Sequence, residues 1–290
     1  MPPSPQPPQP PAGPERPGTV LETDDDVLQA LRNKPNVELV PVPQQPPATS
    51  ARPSMSAKPY RPTQRPPIAL LIILDDGKGE GEIVRLRGDR FVIGRTEGDL
   101  LIPHDPQISG RHIEITRQRS GEKYRWVVTD LQSTNGLFIR VSRTVLADKA
   151  EILVGMGRYR FETPGSNFPE TADSLSPDSP PAATRPVGID AASLMHPALV
   201  ELVGGRMLSR LPLATSEYWI GSDPTCAICR GSDPYIEPRH IRLYRETNGA
   251  WYAQNNKTSN GLWIKVPQIS VTDSCSFQIG EQRFRLNTGG

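Results

Sequence analysis

The chain repeats itself once, at domain length. An apolar pair followed by glycine occurs as Val92-Ile93-Gly94 and again as Trp219-Ile220-Gly221. The pattern Ile-x-x-Arg-His-Ile spans Ile108 to Ile113 and Ile236 to Ile241. Asn-Gly-Leu-aromatic-Ile spans Asn135 to Ile139 and Asn260 to Ile264. A short strand-like run ends on Gly155 and on Gly280. The four offsets are 127, 128, 125 and 125 residues. Ordered matches at nearly constant offset mean duplication, and a period this long means two domains rather than a solenoid.

Proline placement marks the edges of the repeats. Of 33 prolines, 19 fall in residues 1–67 and 7 in residues 164–197. Such Pro density cannot sustain helices or central strands. The expected organisation is a disordered Pro-rich tail (1–67), a first domain (68–163), a Pro/Ser-rich linker (164–197) and a second domain (198–288). One proline-free island, Thr19 to Leu31, interrupts the tail. It reads as a short transient helix, as a docking peptide, or as no more than a charged interruption.

Within each repeat, short β-branched or aromatic runs alternate with turn residues every 8–12 positions, as in Tyr124-Arg125-Trp126-Val127-Val128. No stretch carries helical periodicity. The expected fold class is all-β, with two sandwiches.

Composition excludes several functions. Net charge is +1, from 33 basic and 32 acidic residues, so no strong field draws in nucleic acid or an anionic membrane. The longest apolar run, Ile68 to Leu74, is far short of the ~20 residues that span a bilayer. The N-terminal segment lacks the basic and apolar regions of a secretory signal. Three cysteines, Cys226, Cys229 and Cys275, do not make a disulfide framework. A cytoplasmic location is expected. The four histidines show no ligand spacing, so no metal is expected, and no cofactor. Cys226-Ala-Ile-Cys229 lacks a second pair and reads as structural. Gly77 to Gly81 reads as a hairpin, and Ser109 with His112 has no partnered acid for a hydrolase triad.

The informative residues are Gly94-Arg95, then Ser109-Gly110-Arg111-His112, then Ser133-Thr134-Asn135-Gly136. All sit at strand ends or turns, where loops converge on ligands. The set resembles the forkhead-associated (FHA) domain, with its ordered Gly-Arg, Ser-x-x-His and Ser-x-Asn-Gly motifs. The resemblance covers both repeats, about two thirds of the chain. It implies two β-sandwiches of about eleven strands each, of the SMAD/FHA type, and non-catalytic binding of phosphothreonine peptides. It further implies that Arg95, Ser109 and Thr134 touch phosphate and that Asn135 holds the peptide backbone. Gly110 stands where the family often has a longer polar residue, which leaves a backbone N–H there. Arg111 is a candidate second cation. Gly94, His112 and Gly136 take structural roles.

The chemistry fits. Phosphothreonine carries about −1.5 to −2 charge and three strong acceptors. A guanidinium fork and hydroxyl donors match it. The second repeat departs where this matters, with Ser222 for Arg95 and Glu237 for Ser109, while His240, Asn260 and Gly261 remain and Ser259 replaces Thr134. A carboxylate beside a phosphate repels it. The second repeat is expected not to bind phosphothreonine unless Arg239 or Arg242 rescues it.

The expected function is a phosphothreonine-dependent adaptor acting through the first repeat, with phosphoproteins and a Ser/Thr kinase as partners. The alternative is a phosphate-independent scaffold using both sandwiches. Thr23, in Leu21-Glu22-Thr23-Asp24-Asp25-Asp26, is the candidate regulatory phosphosite. Family domains often read the residue three after phosphothreonine, and Asp26 holds that place. The 45 residues from Thr23 to Ile68 span roughly 35–40 Å as flexible chain. Fold-back onto the first domain would then occur at an effective concentration near ~1 mM.

Overall fold

The structure is a computed structural model of the 290-residue chain. It describes residues 18, 20–21, 68–74, 81–121, 123–164 and 195–288. Most of the Pro-rich tail, Thr23 included, and most of the 164–197 linker lie outside the described residues.

The described residues contain strands and no α-helix. In chain order the strands are β1 (Val20–Leu21), β2 (Ala69–Leu74), β3 (Glu82–Leu86), β4 (Arg90–Gly94), β5 (Leu100–Leu101), β6 (Ile113–Ser120), β7 (Lys123–Asp130), β8 (Leu137–Val145), β9 (Glu151–Val154) and β10 (Gly157–Glu162). The second repeat supplies β11 (Ala198–Val203), β12 (Arg206–Pro212), β13 (Glu217–Gly221), β14 (Ile228–Cys229), β15 (Ile241–Arg245), β16 (Trp251–Asn255), β17 (Leu262–Val266), β18 (Gln268–Val271), β19 (Ser274–Ile279) and β20 (Gln282–Asn287). No described helix is long and apolar enough to cross a membrane.

Two β-sandwiches result, as expected for the fold class, but neither is made from one contiguous repeat. In the first, β4 to β7 of repeat one form one sheet in the order β18-β7-β6-β4-β5, so the strand beyond β7 belongs to repeat two. Ile269 lies opposite Val128, and Val271 opposite Trp126. The opposing layer runs β3-β2-β20-β19-β8, again mixing repeats, with Leu71 opposite Leu286 and Phe277 opposite Ile139. The second sandwich mirrors it. There β11 pairs with β10 of repeat one, with Val200 opposite Arg160, and β17 pairs with β9. Each sandwich therefore takes its C-terminal strands from the other repeat.

Two strands make the crossing. β8 lies antiparallel to β17 from Leu137↔Val266 to Val141↔Leu262, then continues into the other sandwich, where Val145 faces Tyr252. β17 and β18 pass the opposite way, ending against β7. The sequence supports extension here. Val141 and Val266 are β-branched, and Pro267 separates β17 from β18 without a glycine or asparagine to turn the chain back. Leu137, Phe138, Ile139 and Val141 are all buried. Each such side chain contributes roughly 1.5–3 kcal/mol on removal from water.

The tail contributes one element. Val20 and Leu21 lie opposite Arg143 and Val141 as an added strand on β8. The rest of the Thr19–Leu31 island lies outside the described residues.

Because each core is shared, the repeats unfold together. Phe277 is fully buried and stacks on Phe284 at 5.1 Å, in the sandwich that carries the first repeat's loops. Phe277→Ala is expected to cost about 3–5 kcal/mol. In urea, circular dichroism and tryptophan fluorescence should report one coincident, shifted transition. Two separable transitions, with only one displaced, would contradict the exchange.

Candidate functional site

The residues singled out in repeat one converge at one end of the first sandwich. The turn after β4 docks on the turn before β6 through backbone alone. Arg95 N donates to Ser109 O at 2.9 Å, and Thr96 N and Glu97 N donate to Gly110 O at 3.2 and 3.0 Å. A Cβ on Gly94 would lie 2.1 Å from Gly110 O, so only glycine permits this approach. The third turn joins through hydroxyls. Thr134 N donates to Ser109 Oγ at 3.1 Å, and the Ser109 and Thr134 hydroxyl oxygens are 3.5 Å apart. Ser133 is held on Asp130, and its Oγ accepts from Gly136 N at 3.0 Å.

His112 ties two of these turns together from beneath. Ser109 N donates to its Nδ1 at 3.0 Å, so the ring proton resides on Nε2, which donates to Gly136 O at 3.2 Å. Asn135 Nδ2 donates to Gln107 O at 2.8 Å, and Arg158 donates to Asn135 Oδ1 at 3.4 Å. Arg158 is in turn paired with Glu151. Gly136 has φ +89°, a conformation that favours glycine.

Arg95 is half-buried, and Arg111 is exposed. Among the described residues, neither guanidinium has a carboxylate partner. Hydroxyl donors and an uncompensated cation therefore share one rim, an arrangement suited to an oxyanion.

The same frame recurs in repeat two. Ser222 N and Asp223 N donate to Glu237 O and Pro238 O, both at 3.1 Å. A Cβ on Gly221 would meet Pro238 O at 2.0 Å. Glu237 N donates to His240 Nδ1 at 3.0 Å, and His240 Nε2 donates to Gly261 O at 3.1 Å. The FHA domain family profile matches residues 91–155 and 218–280. Both repeats are FHA domains.

Solved structures give further likenesses. Yeast Pml1p is 25% identical over 25% of this chain and 57% of its own, with a TM-score of 0.23. Mycobacterium tuberculosis EmbR, solved in complex with a low affinity phosphopeptide, is 21% identical over 33% of this chain and 24% of its own, with a TM-score of 0.21. A chain from a study of phosphothreonine-dependent FHA domain interactions is 31% identical over 31% of this chain and 91% of its own, with a TM-score of 0.19. This chain thus spans little more than half of Pml1p and about a quarter of EmbR. No curated protein sequence matches it.

The two FHA domains differ at the rim. In the second, Glu237 Oε1 accepts from both Ser259 N and Ser259 Oγ, each at 2.9 Å. The carboxylate takes the donors that match Thr134 N, which bonds Ser109 Oγ in the first domain, and the Thr134 hydroxyl. Neither nearby arginine turns to the rim. The Arg239 guanidinium lies 5.6 Å from the Trp219 ring centroid, and Arg242 pairs with Glu217 at 2.6 Å. Cys226 packs under Gly221, its Sγ 3.3 Å from Pro238 O, and burial pushes its thiol pKa up.

Sequence reasoning missed Gln107 and Arg158, which fix Asn135. It also missed a pair of cross-repeat braces. Lys265 lies against Gly136, and Arg140 donates to Thr258 O and Ser259 O at 3.2 and 3.0 Å. Arg140 and Lys265 occupy the same repeat position, as do Arg158 and Arg283, and that equivalence was the available signal.

Burial lowers the pKa of His112 and His240 below 6.5, outweighing the hydrogen bonds to Gly136 and Gly261 that oppose it. The unfolded chain therefore binds these protons more readily than the folded one. Their contribution to stability is complete above about pH 6.5 and is lost as pH falls through the lower folded values. Melting temperature should drop between pH 7.5 and 5. The drop should be smaller in a His112→Gln, His240→Gln double variant, which starts less stable. An equal drop in both proteins would refute the assignment.

Proposed function

We propose that the chain is a phosphothreonine-dependent adaptor that reads its partner through the first FHA domain. FHA domains are protein-interaction modules rather than catalysts. The observation that carries the reading is the contrast between the two rims. In the first, Arg95 and the Ser109–Thr134 hydroxyl pair have no carboxylate partner among the described residues, whereas Glu237 occupies the matching donors of the second. Arg95, Ser109, the Gly110 N–H and Thr134 take phosphate, Asn135 orients the peptide backbone, and Arg111 adds a flanking cation. The second domain serves a contact that does not depend on phosphate. The writer of the mark is a Ser/Thr kinase. The partner class follows from the anion, since three acceptor oxygens and nearly two charges match the donors offered.

Isothermal titration with phosphothreonine peptides selected from a degenerate library tests this on the full chain. Arg95→Ala should weaken binding about 10- to 100-fold, the size expected on removing a charge-assisted contact. Unphosphorylated peptides should not bind. Indifference to both changes would favour the phosphate-independent scaffold. Glu237→Ser alone should leave the second domain silent, because no cation returns. Glu237→Ser with Ser222→Arg should add a second, Arg95-independent binding event.

Thr23 supplies the regulatory part of the proposal. Phosphorylated Thr23, tethered to the first FHA domain, competes with outside partners. After kinase treatment the full chain should lose affinity for library peptides, and Thr23→Ala should keep it. Equal loss in both proteins would remove Thr23 from the scheme.

A further inference from the structure

Every residue assigned to phosphate lies in repeat one, but the turns that carry them rest on repeat two. The β19–β20 turn reaches beneath the first site. Glu281 N donates to Asp105 Oδ2 at 2.7 Å, and the other oxygen of that carboxylate accepts Gln107 N at 2.8 Å. Gln107 Nε2 donates back to Glu281 Oε1 at 2.7 Å. Gln107 O is the acceptor that holds Asn135. The crossing strand β17 supplies a second support. A Cβ on Gly136 would sit 2.3 Å from Lys265 Cε and 3.1 Å from Lys265 Nζ, so the lysine stem fills the face left open by that glycine.

The mirrored contacts occur at the other site. Met156 N, from repeat one, donates to Asp233 Oδ2 at 2.8 Å, and Asp233 Oδ1 accepts Tyr235 N at 2.9 Å. The Arg140 guanidinium fills the face of Gly261, with Nε 2.6 Å from where a Cβ would be. The support is thus built twice, by strand exchange, under loops of different binding chemistry.

We infer that the first FHA site is a composite of both repeats, in which Lys265 and Glu281 of the second repeat are positioning residues for the Thr134–Gly136 turn and for the Gln107–Ser109 turn. This rests on the phosphothreonine reading given above. Neither residue needs to touch ligand. Lys265 acts by packing its stem on Gly136, and Glu281 acts by holding Asp105 and Gln107, and through Gln107 the Asn135 amide. Peptide affinity in repeat one is therefore set partly by the fold of repeat two.

The test uses the full chain and a fluorescein-labelled phosphothreonine peptide from the degenerate library, with its unphosphorylated form and Arg95→Ala as controls. Lys265→Ala is expected to weaken binding about 5- to 20-fold (about 1–2 kcal/mol) with an unchanged melting temperature. Lys265→Met, which keeps the stem and drops the charge, should bind within about twofold of wild type. Hydrogen exchange of the 274–287 segment should slow when the peptide binds, along with the 107–111 and 133–136 turns. If Lys265→Ala binds like wild type, or Lys265→Met is as weak as Lys265→Ala, Lys265 does not position the turn. If exchange slows only within 94–136, the site is not composite. If wild type does not distinguish the phosphorylated peptide, or Arg95→Ala binds equally, the phosphothreonine reading falls first and this inference with it.

Discussion

The antiparallel pairing of β8 with β17 is the constraint on which the rest of the structure depends. These strands run through the middle of the molecule in opposite directions, and each starts in one sandwich and finishes in the other. Neither can turn back within its own repeat without giving up the Leu137–Val141 ladder and the burial that goes with it. Once both cross, the C-terminal hairpins have to follow. β9 and β10 complete the second sandwich, and β18 to β20 complete the first. The edge hairpins then pair with whichever strand is delivered, so β2 meets β20 and β11 meets β10. The tail strand β1 lies on the same crossing strand. Stability and site geometry therefore share one origin.

Above this frame, recognition chemistry is light. Three turns are joined by backbone hydrogen bonds, a glycine that admits a carbonyl, and one neutral histidine that accepts on one nitrogen and donates from the other. That core is nearly identical in both FHA domains because it needs no solvent-exposed side chain. His112 and His240 are both fully buried. The outward residues are free to change without loosening it, which is why Ser222 and Glu237 sit in a frame as well bonded as that of Arg95 and Ser109. Function differs at the rim, while folding is set beneath it.

The local part of this was legible in the sequence. Glycine before the first motif, histidine at a fixed distance from serine, and Asn-Gly after it each encode a contact made within a few residues or between neighbouring turns. Strand alternation identified the all-β class, and duplication identified two copies. The exchange was not legible. Period two identifies strands but is the same whichever partner a strand meets. Ser142 and Arg143 break the apolar pattern, yet β8 continues to Val145 and Arg143 lies over the Tyr252 ring at 4.1 Å. Lys265 and Glu281 were invisible as site residues for the same reason. Their importance comes from contacts with residues of the other repeat, up to 176 positions away in sequence, which no local motif records.

The two rims also differ in electrostatics beyond the exchanged rim residues. Around Asn135, Arg158 and Lys265 share the Glu151 carboxylate. Around Asn260, the matching cations are Arg283 and Arg140, 5.2 and 5.9 Å from the Trp263 ring centroid, and the residue matching Glu151 is Ser276. Burial, and then the charge of Arg140, lower the pKa of Arg283, and this pair has no counterpart to the Glu151 carboxylate at position 276. A carboxylate near this end of the sandwich offsets that positive potential, and Glu237 is bonded to the loop that Arg140 holds. In the first domain the balance is reversed. Its two supporting cations share one carboxylate beneath the rim, and Arg95 adds its own attraction for an anion from outside. The acid that closes one site and the acid that steadies the other are thus two placements of the same charge, inside the rim and beneath it.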